Sequence, residues 1–565
     1  DLESVWTAPA GEGPISYNSY ITNNSGKTVA INDEDVVAAD VILSVPENTT
    51  LYRFNRSRMN NGLDEDFTTG VLTTDITTEL FLKSHVEGNW RTNYGTLPFH
   101  MMSDDSGNGL YYGYDWNYGK IFTRTQNDEG KVRMTARLGQ DTSYTDREDG
   151  EVFEVPGMFF GTYKGSLDDG SNSMKRWFYN NRMTKTLREN EDEPLIELHT
   201  SANSEAEWAE NLKNDYASWG VGLIKQDYWW QTDTLPEDPG SGFDSYLEQQ
   251  WLPNKERWPN GMTLGHMAHE NGLKLSLYMC DTYQGVDIGT KEGREKQLDA
   301  LRMRIEDWGV DYWRSDFEVV TPNDYDSFEG LLYILDTLFE EYPDFRYECC
   351  SAGGALKNFE MFERLTVMTF EDTGNALNHR MAFYSNSYMV NPIQLKFDVG
   401  VDWGSEGTED WVRYNNRTGM MGAFMVCAST RPLNDMEIGV AKETYKLYNE
   451  RQRPILRGAD VYHILPMPDG ENWDGMEFYN NALGKGSIFL FKPSEQAEDE
   501  KVIYADGLKS DSVYYVEFED RDELSCYMTG EQLMNEGIKV TGMTAKYDTE
   551  IIWLTDMSHM DIPVD

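Results

Sequence analysis

Trp308-Gly-Val-Asp-Tyr-Trp-Arg-Ser-Asp316-Phe-Glu318 is the stretch that decides the fold prediction. A helix-like run over 296–307 precedes it, and residues 310–313 are apolar and β-prone, which is typical of a parallel strand covered on both faces. The strand then ends in charged and polar residues. In an α/β barrel the carboxyl ends of the strands face the ligand, so Asp316 is a candidate catalytic group. A solvated aspartate at a strand end is the alternative, and this segment alone favours neither.

Strand-like and helix-like segments alternate over residues 194–458. Helical patterns, clearest at 205–219 and 325–341, separate most of the eight candidate strands. Eight parallel strands with helical crossovers in about 260 residues indicate a (β/α)8 barrel. A doubly wound sheet gives a similar pattern, but no glycine-rich phosphate loop follows the first strand. The candidate strands are 195–200, 221–229, 273–280, 310–315, 346–350, 365–370, 392–397 and 422–427.

The flanking regions have the patterns of antiparallel β-sheet. Short alternating runs separated by Gly, Asn and Asp clusters fill the first 170 residues, and similar runs return after Gly458. Residues 168–174 have the composition of a linker, and 175–187 that of a connecting helix. We therefore predict three domains. They are an N-terminal β-sandwich over 1–174, the barrel over 175–458 and a smaller C-terminal β-sandwich over 459–565.

Composition restricts the partners. The chain has 565 residues, a formal net charge of −49 and a pI near 4.4. Nucleic acid and anionic membranes are disfavoured because phosphate binding requires basic surface. No apolar run is long enough for a membrane span and no signal peptide is visible, so the compartment is open between cytoplasmic and secreted. The five cysteines lack CxxC spacing and do not indicate a disulfide scaffold, and a homo-oligomer is compatible with the sequence.

Polar residues follow several predicted barrel strands and would meet at one rim of the barrel. Together with the aromatic run Tyr228-Trp229-Trp230 they suit glycosidic chemistry on a carbohydrate substrate. In that chemistry one carboxylate attacks the sugar and another protonates the leaving oxygen. The strand-end residues are His199, Gln226, Asp227, Cys280, Asp281, Asp316, Glu348, Cys349, Cys350, Glu371 and Asp372.

Two other kinds of site receive less support. His266 and His269 are spaced one helical turn apart, as metal ligands often are, but neither an adjoining Glu nor a third ligand accompanies them. A nucleophilic thiol at Cys349 or Cys350 needs an activating histidine that the sequence does not identify. We therefore expect neither a metal nor a cofactor.

The deciding stretch resembles the strand-four motif of glycoside hydrolase family 36, the α-galactosidases and α-N-acetylgalactosaminidases. In that motif Lys-Trp-Asp ends in the nucleophile. The resemblance extends over nearly the whole chain, and it implies the same order of N-terminal β-supersandwich, (β/α)8 barrel and C-terminal β-domain. It also implies that Asp316 is the nucleophile, with Arg314 in the place of the lysine.

Three further segments resemble motifs of this family. Glu348-Cys-Cys-Ser-Ala-Gly-Gly354 is similar to Glu-x-Cys-Ser-Ser-Gly-Gly, whose Cys and glycines border the C2 substituent of the sugar. Residues 364–372 align with the segment that ends in the acid/base, which implies that role for Asp372, or for Glu371 if the alignment slips by one. Gln226-Asp-Tyr-Trp-Trp230 takes the place of the Asp-Asp-Gly-Trp that holds the galactose 4- and 6-hydroxyls. The substrate-binding residues expected on this basis are Asp227, Trp229, Trp230, Asp281, Arg314, Cys350, Gly353 and Gly354.

The chain also departs from the family pattern. Gln226 replaces one Asp of the Asp-Asp pair, and Ala355 and Asn358 replace an expected Arg and Asp, while both catalytic carboxylates remain. We therefore interpret the chain as a divergent retaining exo-α-glycosidase for terminal α-linked galactose-type residues. An α-N-acetylgalactosaminidase or α-galactosaminidase on the same scaffold is the first alternative. A non-catalytic carbohydrate-binding protein on a degenerate barrel is the second.

Overall fold

Antiparallel sheets form the N-terminal part of the molecule, as predicted. The computed structural model describes residues 1–45, 48–56, 67–71, 76–79, 95–116, 118–126, 131–139, 144–200, 202–232, 250–260, 262–316, 324–371, 375–400, 407–428 and 432–559. A seven-stranded sheet has the order β1-β2-β13-β9-β8-β5-β6, a four-stranded sheet the order β4-β11-β10-β7, and β12 pairs with β3. The strands are β1 (Leu2–Thr7), β2 (Ile15–Thr22), β3 (Val29–Asn32), β4 (Val37–Ser44), β5 (Thr50–Asn55), β6 (Phe67–Val71), β7 (Ile76–Glu79), β8 (Thr96–Ser103), β9 (Asn108–Tyr114), β10 (Lys120–Gln126), β11 (Lys131–Arg137), β12 (Tyr144–Arg147) and β13 (Val152–Lys164).

Eight parallel strands form a closed barrel at the centre of the molecule. Each strand pairs with the next along the chain, and the last pairs with the first through Glu197↔Met425 and His199↔Cys427. This closure confirms the predicted (β/α)8 barrel and excludes a doubly wound sheet, which has open edges. The barrel strands are β14 (Glu197–Thr200), β15 (Leu223–Gln226), β16 (Lys274–Cys280), β17 (Tyr312–Asp316), β18 (Arg346–Cys349), β19 (Val367–Thr369), β20 (Leu395–Gly400) and β21 (Ala423–Ala428).

Helices surround the barrel and connect its strands. In the described ranges no helix is both long enough and apolar enough to cross a membrane. The α-helices are Leu167–Asn181, Lys185–Glu189, Glu205–Leu212, Leu264–Glu270, Lys291–Trp308, Tyr325–Glu341, Ser351–Gly354, Phe359–Arg364, Ala376–Asn386, Glu409–Gly419, Asp435–Leu447, Arg453–Leu456 and Gly530–Asn535. Shorter helical turns are Asp33–Asp35, Tyr216–Trp219, Tyr228–Trp230, Pro392–Gln394, Tyr448–Gln452, Asp522–Leu524 and Met557–His559.

The chain passes from a helix into the fourth barrel strand at Gly309. The helix Lys291–Trp308 ends there because Gly309 has a φ of 71°, the left-handed conformation that a residue without Cβ adopts at little cost. Its N–H donates to the carbonyl of Arg304. The strand that follows buries Tyr312 and Trp313, so the sequence order helix, glycine, apolar strand fixes where Asp316 emerges.

A helix occupies the segment that the sequence predicts as a linker. The helix Leu167–Asn181 starts at Ser166, whose side chain accepts from the Asp169 N–H while the Asp169 carboxylate accepts from the Ser166 N–H. Ser171 Oγ donates to the Tyr388 carbonyl at 2.7 Å, and Asn172 Nδ2 donates to the Val461 carbonyl at 2.9 Å. The linker prediction for 168–174 is therefore wrong. The domain boundaries at 174 and 458 stay predictions.

A six-stranded antiparallel sheet with its own apolar core forms the C-terminal part. Its strand order is β22-β23-β24-β29-β26-β27, and β25 pairs with β28 beside it. The buried Arg380 of a barrel helix joins it to the barrel by donating twice to Asp474, at 2.6 and 3.0 Å. The strands are β22 (Asp460–Tyr462), β23 (Asp474–Asn480), β24 (Lys485–Lys492), β25 (Glu500–Ile503), β26 (Val513–Phe518), β27 (Cys526–Thr529), β28 (Ile538–Thr541) and β29 (Asp548–Asp556).

An acidic cavity of about 320 Å³ lies between the N-terminal sheets and the barrel helices. Five carboxylates line it, and one of them, Glu329, lies on the helix Tyr325–Glu341. Burial raises the pKa of Glu329 to about 7, and the carboxylates of Glu360 and Glu154 act in the same direction. The folded protein therefore holds a proton at Glu329 at pH values where the unfolded chain has released it.

Glu329→Gln is expected to stabilise the protein at pH 8 and to change its stability little at pH 5. Because the folded pKa lies above the ordinary value of 4.5, the contribution of Glu329 to stability is present below that value and is lost as the pH rises through 7. Urea unfolding at the two pH values should show a difference on the order of 1–3 kcal/mol. Glu340→Gln, at an exposed position of the same helix, is the matched control. The same pH response in both variants would contradict the elevated pKa.

Candidate active site

The barrel interior contains a layer of buried polar side chains from alternate strands. Glu197 on β14, Ser276 on β16, Glu348 on β18 and Lys396 on β20 are all buried. Lys396 Nζ lies 3.3 Å from Glu197 Oε2 and also contacts Glu348 Oε1, while Ser276 Oγ donates to Glu348 Oε2 at 3.3 Å. Barrel interiors are usually filled by branched aliphatic residues in such layers of four. Here the layer is charged and internally paired.

Arg314 connects this layer to Asp316 at the carboxyl end of β17. One guanidinium nitrogen of the buried Arg314 donates to Glu348 Oε1 and, at 3.3 Å, to Thr369 Oγ1. The other lies 3.3 Å from Asp316 Oδ2. The side chain of Asp316 is 22% exposed, whereas that of Arg314 is 3% exposed. Arg314 therefore anchors a carboxylate that opens to the barrel rim.

Asp227 follows β15 and is surrounded by hydrogen-bond donors. Its Oδ1 accepts from the Tyr228 N–H at 2.8 Å, and its Oδ2 lies 3.0 Å from Lys225 Nζ and 3.3 Å from His199 Nε2. Burial alone would raise the pKa of Asp227, but the positive charges of Lys225 and Arg314 outweigh it and hold the pKa far below its ordinary value. Burial and the Lys225 ammonium lower the pKa of His199 well below its ordinary value. The site therefore holds a charged Asp227 beside a neutral imidazole.

Cys350 and the two glycines lie in the turn after β18. Cys350 is buried, and its N–H donates to the Ser315 carbonyl at 2.8 Å. Gly354 has a φ of 94°, and a Cβ there would lie 2.3 Å from Lys357 Cε and 3.0 Å from the Thr369 carbonyl. Gly353, with a φ of 82°, precedes it. The turn can press against β19 only because Gly354 lacks a Cβ, and the positive φ of Gly353 also favours glycine.

The predicted site residues separate into two groups. Asp227, Arg314, Asp316 and Cys350 come together. Asp316 Oδ2 lies 3.3 Å from the Arg314 guanidinium, and the negative charge of Asp227 also acts on that guanidinium. The N–H of Cys350 donates to the carbonyl of Ser315 on the same strand as Arg314. Trp229 follows Asp227 by two residues in the turn Tyr228–Trp230, is 39% exposed, and packs its ring on that of Tyr228. Glu371 is fully buried, and Asp372 lies outside the described residues.

Trp230 and Asp281 face away from this group. Trp230 is fully buried, donates from Nε1 to the Tyr278 carbonyl at 2.8 Å and packs edge-on against Trp308. Asp281 is fully buried and accepts from Ser315 Oγ, whose position between Arg314 and Asp316 places it on the outer face of β17. These placements argue against the predicted substrate contacts of Trp230 and Asp281. Both residues support the barrel wall.

The sequence interpretation missed several charged residues inside the barrel. Lys225 and Lys396 lie two positions before Asp227 and Asp398, on the inward faces of β15 and β20. Side chains two residues apart on a strand share a face, so charges at alternate positions of otherwise apolar strands were an available signal. The same spacing relates Glu197 to His199 and Arg314 to Asp316.

In the described part of the chain no group of three or more His, Cys, Asp or Glu side chains is arranged to hold a metal ion. His266 Nε2 lies 2.9 Å from the Asp307 carbonyl, and His269 Nε2 lies 2.8 Å from Asp311 Oδ2. All five cysteines lie in the described ranges and none forms a disulfide. Each of the two histidines is thus engaged with a different partner.

The structure defines a class of molecule: a (β/α)8 barrel flanked by antiparallel sheets, with carboxylates at its carboxyl rim. Solved structures share this fold. The galactosidase domain of the α-galactosidase–sucrose kinase AgaSK matches with a TM-score of 0.81 and 17% identity, over 98% of this chain and 80% of that one. The GH36 α-galactosidase AgaA from Geobacillus stearothermophilus matches with a TM-score of 0.80 and 15% identity, over 98% and 81%. The predicted order of sheets, barrel and sheets is confirmed.

Sequence comparison also finds α-galactosidases. The probable α-galactosidase C of Aspergillus flavus is 22% identical over 442 residues, which cover 68% of this chain and 57% of that protein. The bifunctional α-galactosidase/sucrose kinase AgaSK of Mediterraneibacter gnavus is 20% identical over 493 residues, which cover 80% and 51%. The match thus spans little more than half the length of these curated relatives. No protein-family model matches the chain.

Proposed function

We propose that the protein is a retaining exo-α-glycosidase, a divergent member of glycoside hydrolase family 36, acting on terminal α-linked galactose-type residues. The observation that carries the proposal is Asp316, a partly exposed carboxylate at the end of the fourth barrel strand, held by a buried arginine. Catalytic groups of such barrels stand at the carboxyl ends of the strands. The similarity to α-galactosidases supports the choice of substrate class.

The proposed reaction has two displacement steps. Asp316 attacks the anomeric carbon, and the bond to the leaving oxygen breaks as that oxygen takes a proton from Asp372. Water then attacks the glycosyl ester, Asp372 takes its proton, and the ester bond to Asp316 breaks. Glu371 is the second choice for the acid/base. The two carboxyl groups are expected about 5–6 Å apart, the separation that leaves no room for a water between nucleophile and sugar.

Arg314 orients the nucleophile in this proposal. A guanidinium has nitrogens at fixed angles, so one can bond Glu348 while another bonds Asp316. The resembled family has a lysine at this position, whose single ammonium lacks that fork. The pairing with Glu348 and the neighbouring Thr369 fixes the arginine, and the arginine fixes the direction of Asp316.

Asp227, Trp229, Cys350, Gly353 and Gly354 are proposed to bind the sugar at the cleaved position. Asp227 is held ionised by its donors, so it can accept hydrogen bonds from hydroxyl groups. The exposed ring of Trp229 offers an apolar face to a pyranose. Variants of AgaA were crystallised with raffinose and with stachyose, which supports a carbohydrate substrate for the same fold.

A panel of nitrophenyl α-glycosides tests the proposed function. The purified protein is expected to release nitrophenol fastest from the α-galactoside, and the sugar should first appear as the α-anomer because two displacements retain configuration. Faster turnover of the α-N-acetylgalactosaminide or α-galactosaminide would establish the alternative substrate. First appearance of the β-anomer would contradict retention. Binding of galactose with no turnover of any glycoside in the panel would show a carbohydrate-binding protein.

A further inference from the structure

Asp398 stands on the inward face of β20, near the carboxyl rim. Lys396, two residues earlier on the same strand, points into the barrel, where it contacts Glu197 and Glu348. The intervening Phe397 packs on the outside against Phe370 and Phe383, with ring centroids 5.1 and 5.0 Å away. Because successive side chains of a strand alternate between its faces, Asp398 shares the inward face with Lys396.

One oxygen of the Asp398 carboxylate is buried without a hydrogen bond. The residue is 9% exposed, and its Oδ1 has no hydrogen-bond partner within the described residues. Its backbone N–H donates to His379 Nε2 at 3.1 Å. Burying a carboxylate oxygen without a hydrogen bond costs free energy, so this oxygen calls for an explanation. A hydrogen-bond donor on a bound ligand is one such explanation.

Charge balance in the barrel does not require Asp398. Each buried cation there already has a carboxylate within 4 Å, and no ion pair of Asp398 occurs among the described side chains. Its negative charge acts on Lys225, across the interior on β15, from a greater distance. The existing pairs are Lys225 with Asp227, Arg314 with Asp316 and Glu348, and Lys396 with Glu197 and Glu348.

Strand β15, which does not adjoin β20 in the barrel, lacks a second carboxylate on its inward face. Gln226 precedes Asp227 and is fully buried, and its Nε2 donates to the Ala202 carbonyl at 3.1 Å. Its side chain lies between the inward-facing Lys225 and Asp227, and therefore on the outer face. Acceptors for the several hydroxyls of a pyranose must then come from another strand.

We propose that Asp398 accepts a hydrogen bond from a hydroxyl group of the sugar at the cleaved position, and thereby determines substrate specificity. The inference rests on the proposed function, because it assumes that a galactose-type sugar occupies the rim beside Asp316. The sugar hydroxyl supplies the donor that Oδ1 lacks. Asp398 takes no part in bond breaking.

Asp398→Asn tests this role with little change of shape. The variant should unfold at a temperature equal to or above that of the wild type, because it removes an unpaired buried charge. Its kcat/KM on nitrophenyl α-galactoside should fall about 10- to 100-fold, the range expected for a hydrogen bond to a charged group. Asp344→Asn, at an exposed position before β18 on the opposite rim, is the matched control and should leave both quantities unchanged. A lower unfolding temperature with unchanged kcat/KM would show a structural role and overturn the proposal.

A series of deoxygenated α-galactosides identifies the hydroxyl. Removing the hydroxyl that Asp398 binds should reduce kcat/KM in the wild type but hardly at all in Asp398→Asn, because the variant has already lost that interaction. Removing the other hydroxyls should have the same effect in both proteins. If every deoxygenation reduces both proteins equally, Asp398 contacts no hydroxyl and the proposal fails.

Titration calorimetry with galactose separates this inference from the proposed function. If the wild type hydrolyses α-galactosides and Asp398→Asn matches it in kcat/KM and galactose affinity, the proposed function stands and the role of Asp398 is overturned. If the wild type hydrolyses nothing but binds galactose more tightly than Asp398→Asn does, the enzyme proposal fails and the role of Asp398 in binding stands. Absence of galactose binding by the wild type overturns the inference.

Discussion

Asp316→Ala is expected to lower kcat for the best nitrophenyl α-glycoside by several orders of magnitude. The substitution removes the attacking carboxylate, so no glycosyl-enzyme can form. Fold and binding should persist, because Asp316 lies at the end of β17 with 22% of its side chain exposed. The loss should therefore appear in kcat, and the affinity for galactose should change much less. Stopped assays over long incubations measure the residual rate.

Asp344→Ala serves as the control for this substitution. Asp344 is exposed and precedes β18, so the same chemical change at the amino-terminal rim of the barrel should leave kcat at the wild-type value. If Asp316→Ala keeps the wild-type kcat, Asp316 is not the nucleophile. That result would not contradict the fold.

The barrel was predictable from sequence because its strands are short, apolar and separated by helical patterns. The fourth strand shows why: Gly309 ends a helix, Tyr312 and Trp313 fill a covered strand, and the first polar residues mark the rim. Strand positions follow from such local patterns. The first part of the helix Leu167–Asn181 was missed, although a helix was predicted from residue 175, because Gly170, Ser171 and Asn172 have the composition of a loop. Their burial against the barrel and the C-terminal sheet, which sequence does not show, makes the helix stable there.

Part of the site was predictable, because residues that directly follow parallel barrel strands lie at the carboxyl rim. Strand-end position identified Asp227 and Asp316, whose backbone location alone puts them at the rim. The position of a residue just after a strand does not show which way its side chain points. The sequence interpretation therefore grouped Trp230 and Asp281 with the pocket, although both pack into the barrel wall. The sequence interpretation also overlooked Lys225, Lys396 and Asp398, because these charged residues lie within strand segments that begin with apolar residues, and attention was given to the residues at the strand ends.

Asp372→Ala should behave differently from Asp316→Ala. Nitrophenolate is a good leaving group that needs little protonation, so the glycosyl-enzyme should still form on Asp316, while its hydrolysis slows without a general base. A burst of nitrophenol equal to the enzyme concentration, followed by a steady rate reduced by orders of magnitude, is the expected time course. Substrates with poor leaving groups should lose the first step as well.

Azide distinguishes the two carboxylate roles. Azide attacks without deprotonation, so in Asp372→Ala it should take the place of water in the second displacement, restore turnover and yield the α-glycosyl azide. In Asp316→Ala a single displacement from the side of the removed carboxylate should give the β-azide or none. Glu371→Gln is the comparison for the acid/base, because Glu371 is the neighbouring carboxyl and the second candidate. If azide rescues a Glu371 variant and leaves Asp372→Ala unchanged, the acid/base is Glu371. If neither position responds to azide and both variants keep wild-type rates, the double-displacement mechanism is wrong.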